Sequence, residues 1–501
     1  MHEPEGPVDL LIVGGGVNGT GIARDAAGRG LSVVLCEQDD LASWTSSASS
    51  KLIHGGLRYL EYYEFRLVRE ALAEREVLLA SAPHIIHPLR FVLPHHAGLR
   101  PGWMLRAGLF LYDHLGARQS LPGSRRVDLR GDRTGAPLKA AYRRGFEYSD
   151  ATVDDSRLVA LLAVDAAERG ARILTRTRLV EARRDAGVWR AVLERRGGAR
   201  DIVTARALVN AAGPWVDTVT CSTGGHTDGS SVRLVKGSHI VVPRLYEGEQ
   251  AYTLQGGDGR VVFAIPYQNG FTLIGTTDVP YDADPAGVEA SAEEIGYLCR
   301  TVAEYFRRAP APADVVWAYS GVRPLFDDGH ENASAVTRDY VLDLDCADGA
   351  PPRLTIYGGK ITTFRRLAEH ALEKLREPLA FGARPWTAHS RLPGGDLPDG
   401  DFNRLRREVA HRNPWLPEPT LTRMCHAYGS RIDLVLAGAK TFDDLGKHHG
   451  AGLTEAEVRY LVDREWACEA EDILWRRTKL GLHMNPAERA AFMATPLPTR
   501  R

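Results

Sequence analysis

Apolar runs and helical spacing alternate along this chain in an order that implies its assembly. VDLLIV, residues 8–13, is apolar and β-branched, as a strand buried on both faces should be. VNGTGIARDAAGRG follows with small residues at helical spacing, and LSVVLCE, residues 31–37, reads as a second buried strand. Together they predict a strand–helix–strand unit. Two further strand–glycine–helix segments lie far downstream, RALVNAAGPWVDTV at 206–219 and RLTIYGGKITTFRRLAEHALEKL at 353–375. If all three pack on one nucleotide, they form a discontinuous domain, predicted over 1–85, 146–231 and 346–383.

The intervening segments, 86–145 and 232–345, are strand-rich (SHIVVP, VVFAIPY, FTLIGTTD, DVVWAYSGVRP) and are expected to form an inserted second domain. RPWTAHSRLPGGDLPDG, 384–400, has the proline and glycine content of a linker, and 401–501 reads as helical. Leu60, Tyr63, Leu67, Val68 and Ala71 recur at helical spacing and are expected in the core. LRPGWMLRAGLFLYDHLG, 99–116, joins aromatics to flanking arginines. That pattern suits a helix lying in a membrane interface, and equally a buried helix or dimer contact.

A length of 501 residues exceeds one hydrophobic core, so two or three domains are expected. A net charge of −1 gives no reason to expect a nucleic-acid partner. The six cysteines are far apart, with no CxxC and no Cys/His pair at metal spacing, which fits a reducing compartment and no metal site. The acidic start MHEPEGP has no signal-peptide pattern, and no apolar run reaches about 18 residues, so no spanning helix is expected. A peripheral membrane contact stays open.

Chemistry enters with GGGVNG. Gly14, Gly16 and Gly19 satisfy GxGxxG, with Asn18 inside the turn. A tight turn, close approach to a pyrophosphate and close helix–strand packing each exclude a Cβ, and the helix N-terminus offers free N–H groups to phosphate. Glu37, ending the second strand, stands where a carboxylate accepts both ribose hydroxyls, which disfavours a 2′-phosphate. The scattering of the pieces favours FAD over NAD. Ala212 and Gly213 in NAAGPW are placed beside the adenosine or pyrophosphate. GGKITT sets Gly359, Lys360, Ile361 and Thr362 against the flavin O2/N1 edge, where negative charge appears on reduction.

GGGVNGTGIARDAAGRG, SSASSKLIHGGLRYLEYYEFRLVREALAERE, GFEYSDATVDDSRL, KGSHIVVP, IGTTD, YSGVRPL, TRDY and YGGKITT occur in order over about residues 8–485, with LVDREW and LWRRTKLG near the end. Taken together they resemble the FAD-dependent, respiratory glycerol-3-phosphate dehydrogenases. That resemblance implies an α/β fold with an α+β insertion: a glutathione-reductase-like Rossmann FAD-binding domain, a mixed-β-sheet substrate domain and a C-terminal helical cap. It implies oxidation of sn-glycerol 3-phosphate to dihydroxyacetone phosphate, with hydride passing from C2 to FAD N5 and electrons then to a membrane quinone. It also implies a homodimer on the cytoplasmic face of the inner membrane.

Within that reading, Ser46, Ser47, Ser50, Lys51 and His54 are candidate FAD contacts, through charge-assisted hydrogen bonds in the case of Lys51. Arg58 and Arg323 match the family's substrate-phosphate residues, with Tyr59 beside them, and a guanidinium fork suits phosphate oxygens. His239 and Lys360 are the candidates for the proton acceptor; histidine needs no tuning, whereas a lysine needs its pKa lowered, and the alternative role for Lys360 is a hydrogen bond to flavin or substrate oxygen. Thr276 is a candidate pocket residue. One rival is an FAD-dependent oxidase or dehydrogenase of an amino acid or 2-hydroxy acid, which needs no arginine pair. Another is a non-catalytic flavin- or nucleotide-binding regulator.

Overall fold

The strand Val8–Val13 lies inside a sheet, parallel to Val33–Cys36 on one side and to Arg200–Asn210 on the other. This computed structural model describes residues 6–96, 98–116, 120–225, 232–327, 339–346 and 349–500; Thr337 and Arg338 of the TRDY motif lie outside them. Beyond Arg200–Asn210 the sheet continues through parallel Arg353–Tyr357 to antiparallel Val341–Asp345, and beyond Val33–Cys36 to Arg172–Leu174. The three glycine-following segments of the sequence thus meet at one sheet end. Helices Val17–Gly28, Asp155–Glu168 and Phe364–Leu379 cover one face with Ile22, Val159, Leu367 and Leu372, which bury against Leu10, Ile12, Val209 and Ile356. Both strand faces are covered, which explains the unbroken apolar runs.

A second, mixed sheet holds ten strands among the described residues. Val232–Pro243 runs through it, antiparallel to Phe271–Gly275 and to Trp317–Phe326, so that His239 lies opposite both Gly275 and Tyr319. Sheet membership divides the chain differently from the expected boundaries. Arg144–Val153 pairs with Ile86–His95 over ten residues and also holds the short strand Leu52–Ile53, so both belong to the second sheet. An apolar run alone does not tell a strand which neighbour it will find.

Three local expectations are corrected. Residues 57–62 form a 3₁₀ segment, and the α-helix starts at Phe65, after Tyr63 at φ +59°. Val68 and Ala71 are buried as expected, but Tyr63 is 79% exposed. The 384–400 stretch is packed rather than a free linker: Leu392 and Leu397 are buried, the Leu392 N–H donates to Ser81 O at 2.8 Å, and the Trp386 indole fills the space beside Gly28. Beyond it, helices Phe402–Arg412, Glu418–Tyr428 and Glu455–Glu465 enclose their own core around Met424, Tyr428 and Leu461, with a small hairpin at His448–Thr454. Among the described residues no helix is long and apolar enough to cross a membrane.

Candidate active site

The turn after the first strand is built on two contacts that no side chain would allow. A Cβ on Gly14, at φ +115°, would lie 2.4 Å from Ala211 O, and one on Gly19 would lie 2.0 Å from Gly14 O. The glycines therefore bring the first helix down onto two strands. That helix has no side-chain cap and no acid in its first turn. Ser46 Oγ accepts the Val17 N–H at 3.0 Å, and Gly16, Val17 and Asn18 line a cavity wall. Such a terminus favours an anion.

Glu37 closes the other side. Its carboxylate accepts the N–H of Gly15 at 2.6 Å and of Asp39 at 2.9 Å, and burial pushes it up to about 7. The Asn18 amide donates to Gly358 O at 3.1 Å, tying the first helix to the distant GGK turn, while its Oδ1 is buried without a partner. Gly359 sits at φ +99°, with its Cα against Asn18.

These groups line one cavity of about 1,070 Å³ that runs from Glu37 to the second sheet. Every predicted site residue except Gly19, Ser47 and Lys51 contributes to its wall. Gly19 is occupied in helix–strand packing. The Ser47 hydroxyl donates to Trp44 O. Lys51 is buried behind the wall, where its ammonium donates to Asp155 Oδ1 and Oδ2 at 2.8 and 2.9 Å and to Ser47 O at 2.9 Å. A cation whose donors are all satisfied by a buried carboxylate and a carbonyl is not available to a pyrophosphate.

His239 and Arg323 of the second sheet and Thr276, just past Phe271–Gly275, line this cavity, as do Arg58 and Tyr59 of the 3₁₀ segment and Lys360 of the GGK turn. Arg323 is held by Asp278 Oδ1 at 2.7 Å and by Thr277 O at 2.9 Å. Thr276 Oγ1 and the Arg323 guanidinium both close on the Cα of Gly237. Lys360 Nζ lies 4.1 Å from the centre of the Tyr59 ring. Neither Arg58 nor Lys360 has an ion-pair partner among the described residues.

His239 is buried. Its Nε2 meets Ser50 Oγ at 2.9 Å, its ring stacks on Tyr319 at 5.0 Å, and Nδ1 has no partner. Burial first, then the charges of Lys51 and Arg323, hold it down at about 3, so it is neutral at physiological pH. His54 is likewise lowered by burial, and it accepts the Gly56 N–H at Nδ1.

Sequence reasoning missed a supporting carboxylate. Glu294 is buried, accepts from Ser238 Oγ and Thr277 Oγ1 with one oxygen, and accepts from Lys236 Nζ and the Ser291 N–H with the other. Its hydrogen bonds outweigh burial and lower it to about 2. The signal was the capping-box pattern SAEE, which predicts a helix start but not what the acid faces.

A cavity lined by a glycine turn at a helix N-terminus, a strand-end carboxylate and an orphaned amide oxygen fits FAD. The FAD dependent oxidoreductase family model matches residues 9–362, and the model for the C-terminal domain of alpha-glycerophosphate oxidase matches 385–495. A glycerol-3-phosphate dehydrogenase of Pseudomonas aeruginosa is 55% identical over 491 residues, which are 97% of this chain and 95% of that protein. A D-erythritol 1-phosphate dehydrogenase of Brucella abortus is 54% identical over 98% of both chains. A solved glycerol-3-phosphate dehydrogenase from Bacillus halodurans, complexed with FAD, is similar with a TM-score of 0.75 and 27% identity, over 98% of this chain and 94% of that one.

Proposed function

We propose that this chain, which belongs to the FAD-dependent oxidoreductase family and within it to the glycerol-3-phosphate dehydrogenases, oxidises sn-glycerol 3-phosphate to dihydroxyacetone phosphate. Bound FAD supplies the hydride acceptor. One observation carries the substrate assignment: Arg58 and Lys360, two cations without ion-pair partners among the described residues, share a cavity wall with Arg323. Unspent positive charge facing one space fits a phosphate dianion, and Arg58 and Arg323 can grip it as forks. Asp278 on Arg323 sets the direction of that fork.

The C2 hydroxyl must lose a proton as hydride leaves. Ser50 lines the cavity and shares a hydrogen bond with His239 Nε2, so the Ser50 hydroxyl offers a path from the substrate to the imidazole. A dianion on Arg323 offsets one of the charges that keep His239 low, so substrate binding makes the imidazole a better acceptor. Lys360 holds the substrate from the side of the GGK turn.

A second reading is supported by the Brucella relative. D-erythritol 1-phosphate presents the same phosphate beside a secondary alcohol, on a chain one carbon longer. Comparing kcat/KM for the two substrates decides between them. Arg58→Ala and Arg323→Ala are each expected to raise KM for the preferred phosphate about tenfold or more, with FAD content unchanged. Equal loss of FAD would make the arginines structural.

In this reading electrons then pass to a membrane quinone, with the helix Gly102–Leu115 as the element that meets the membrane. Trp103, Met104, Phe110 and Leu111 are exposed on it, and Tyr62, Tyr63 and Phe65 are exposed at the turn that packs against it. Of these, Tyr63, Phe65, Met104 and Leu111 also line the cavity. An exposed patch of this kind suits peripheral attachment to the inner membrane from the cytoplasmic side. A homodimer belongs to the same reading and is tested by light scattering.

A further inference from the structure

Lys51 is buried away from the cofactor cavity, yet its surroundings converge on His239. The backbone at Lys51 is left-handed, at φ +56°, an uncommon state for a lysine that neighbouring contacts must hold. Asp155 supplies them. This fully buried carboxylate accepts both Lys51 Nζ contacts, the Ser49 hydroxyl at 2.7 Å and the Ser49 N–H at 3.3 Å. Ser49 Oγ in turn accepts the Lys51 N–H at 2.9 Å. The segment 47–51 is thus wound around one acid.

What this winding presents is Ser50. Its hydroxyl is the one that meets His239 Nε2. The same segment fixes the other side of the imidazole. Tyr319 OH donates to Ser49 O at 2.9 Å, and its ring lies 5.0 Å from the Lys51 ammonium and 5.0 Å from the His239 ring, nearly parallel to the latter. Neighbours at the edge and the face of His239 both depend on the Ser49–Lys51 turn.

We infer that the buried Lys51–Asp155 ion pair is a positioning device for His239, holding Ser50 Oγ on Nε2 and Tyr319 against the ring. This rests on the reading of Ser50 and His239 as the proton-handling groups. A buried ion pair contributes little net stability compared with a well-packed apolar pair, whereas a displacement of about 1 Å at a reacting group can cost about a hundredfold in rate. Neither Lys51 nor Asp155 lines the cavity, so losing the pair is expected to lower turnover and leave phosphate binding alone.

The test is a variant cycle on the FAD-loaded enzyme. Lys51→Met combined with Asp155→Asn removes both charges together, so no lone buried charge remains. It is expected to lower kcat about tenfold or more, to leave KM for the substrate within about twofold, and to keep FAD stoichiometric. In a His239→Gln background the same pair of changes is expected to alter kcat by less than about twofold, because residues acting as one unit are not additive. A full tenfold loss in that background, beside an impaired His239→Gln enzyme, overturns the inference alone. A His239→Gln enzyme with wild-type kcat overturns the site reading and the inference together. If the double variant is isolated without FAD, Ser49→Ala decides. It changes no charge and is expected to lower kcat several-fold, again without effect beside His239→Gln; unchanged kcat in Ser49→Ala overturns the inference.

Discussion

Glu37 and Glu294 show what one carboxylate does when its surroundings are decided elsewhere in the chain. Burial raises Glu37 from 4.5 to about 7. For an acid raised on folding, the associated stability is present below pH 4.5 and is lost as pH rises through about 7. FAD-stripped protein is therefore expected to lose up to about 3 kcal/mol between those values. Glu37→Gln should flatten that part of a Tm-against-pH curve, and an unchanged curve would count against the assignment. Glu294 has the opposite sign. Lowered to about 2, it contributes stability above about pH 4.5 that fades as pH falls toward 2. Its functional effect runs through Thr277, whose carbonyl holds Arg323. Glu294→Gln is expected to raise KM for glycerol 3-phosphate several-fold while kcat and FAD content stay near wild type. Glu37 was legible because a strand end fixes where its side chain must be. Lys51 was misread because its partner, Asp155, stands over a hundred positions away, and nothing local distinguishes a cation that meets phosphate from one that meets a buried acid.

At the scale of elements, periodicity located helices better than it located their ends or partners. The stretch 57–71 carries one apolar spacing, but it folds as a 3₁₀ segment, a left-handed Tyr63 and then an α-helix. The break lets Arg58 and Tyr59 line the cavity while Val68 and Ala71 still reach the core. Gly102–Leu115 was ambiguous between membrane, core and partner. The structure buries Leu109 and Tyr112 beneath it and leaves Trp103 and Phe110 exposed, so the helix is not a core helix. Tyr112 OH donates to Asp150 and accepts the Gly55 N–H at 2.8 Å, which anchors the inner face beside the site. Trp103→Ser with Phe110→Ser should weaken sedimentation with lipid vesicles about tenfold or more and leave anaerobic reduction by substrate unchanged. Wild-type vesicle binding by that variant would remove the helix from the membrane reading.

Across the whole molecule, the parts assemble through buried charge as well as apolar packing. Asp40 accepts Arg477 at two oxygens, Arg157 pairs with Glu465, and Lys479 pairs with Asp154, each joining the C-terminal domain to the first sheet's layer. The glycine motifs and the gathering of three scattered strand–glycine–helix segments at one sheet end were legible because a glycine turn between strand and helix demands particular backbone. Which sheet Arg144–Val153 joins was not legible, since strands of either sheet share the same apolar pattern. The central claim is that this assembly places a phosphorylated polyol against FAD, with its phosphate held by Arg58, Lys360 and Arg323. The most direct measurement is the flavin spectrum of the purified holoenzyme on adding glycerol 3-phosphate without oxygen, with D-erythritol 1-phosphate alongside. Rapid loss of the oxidised flavin band, restored by a soluble quinone, is the expected result. A band that persists with both phosphates would contradict the account.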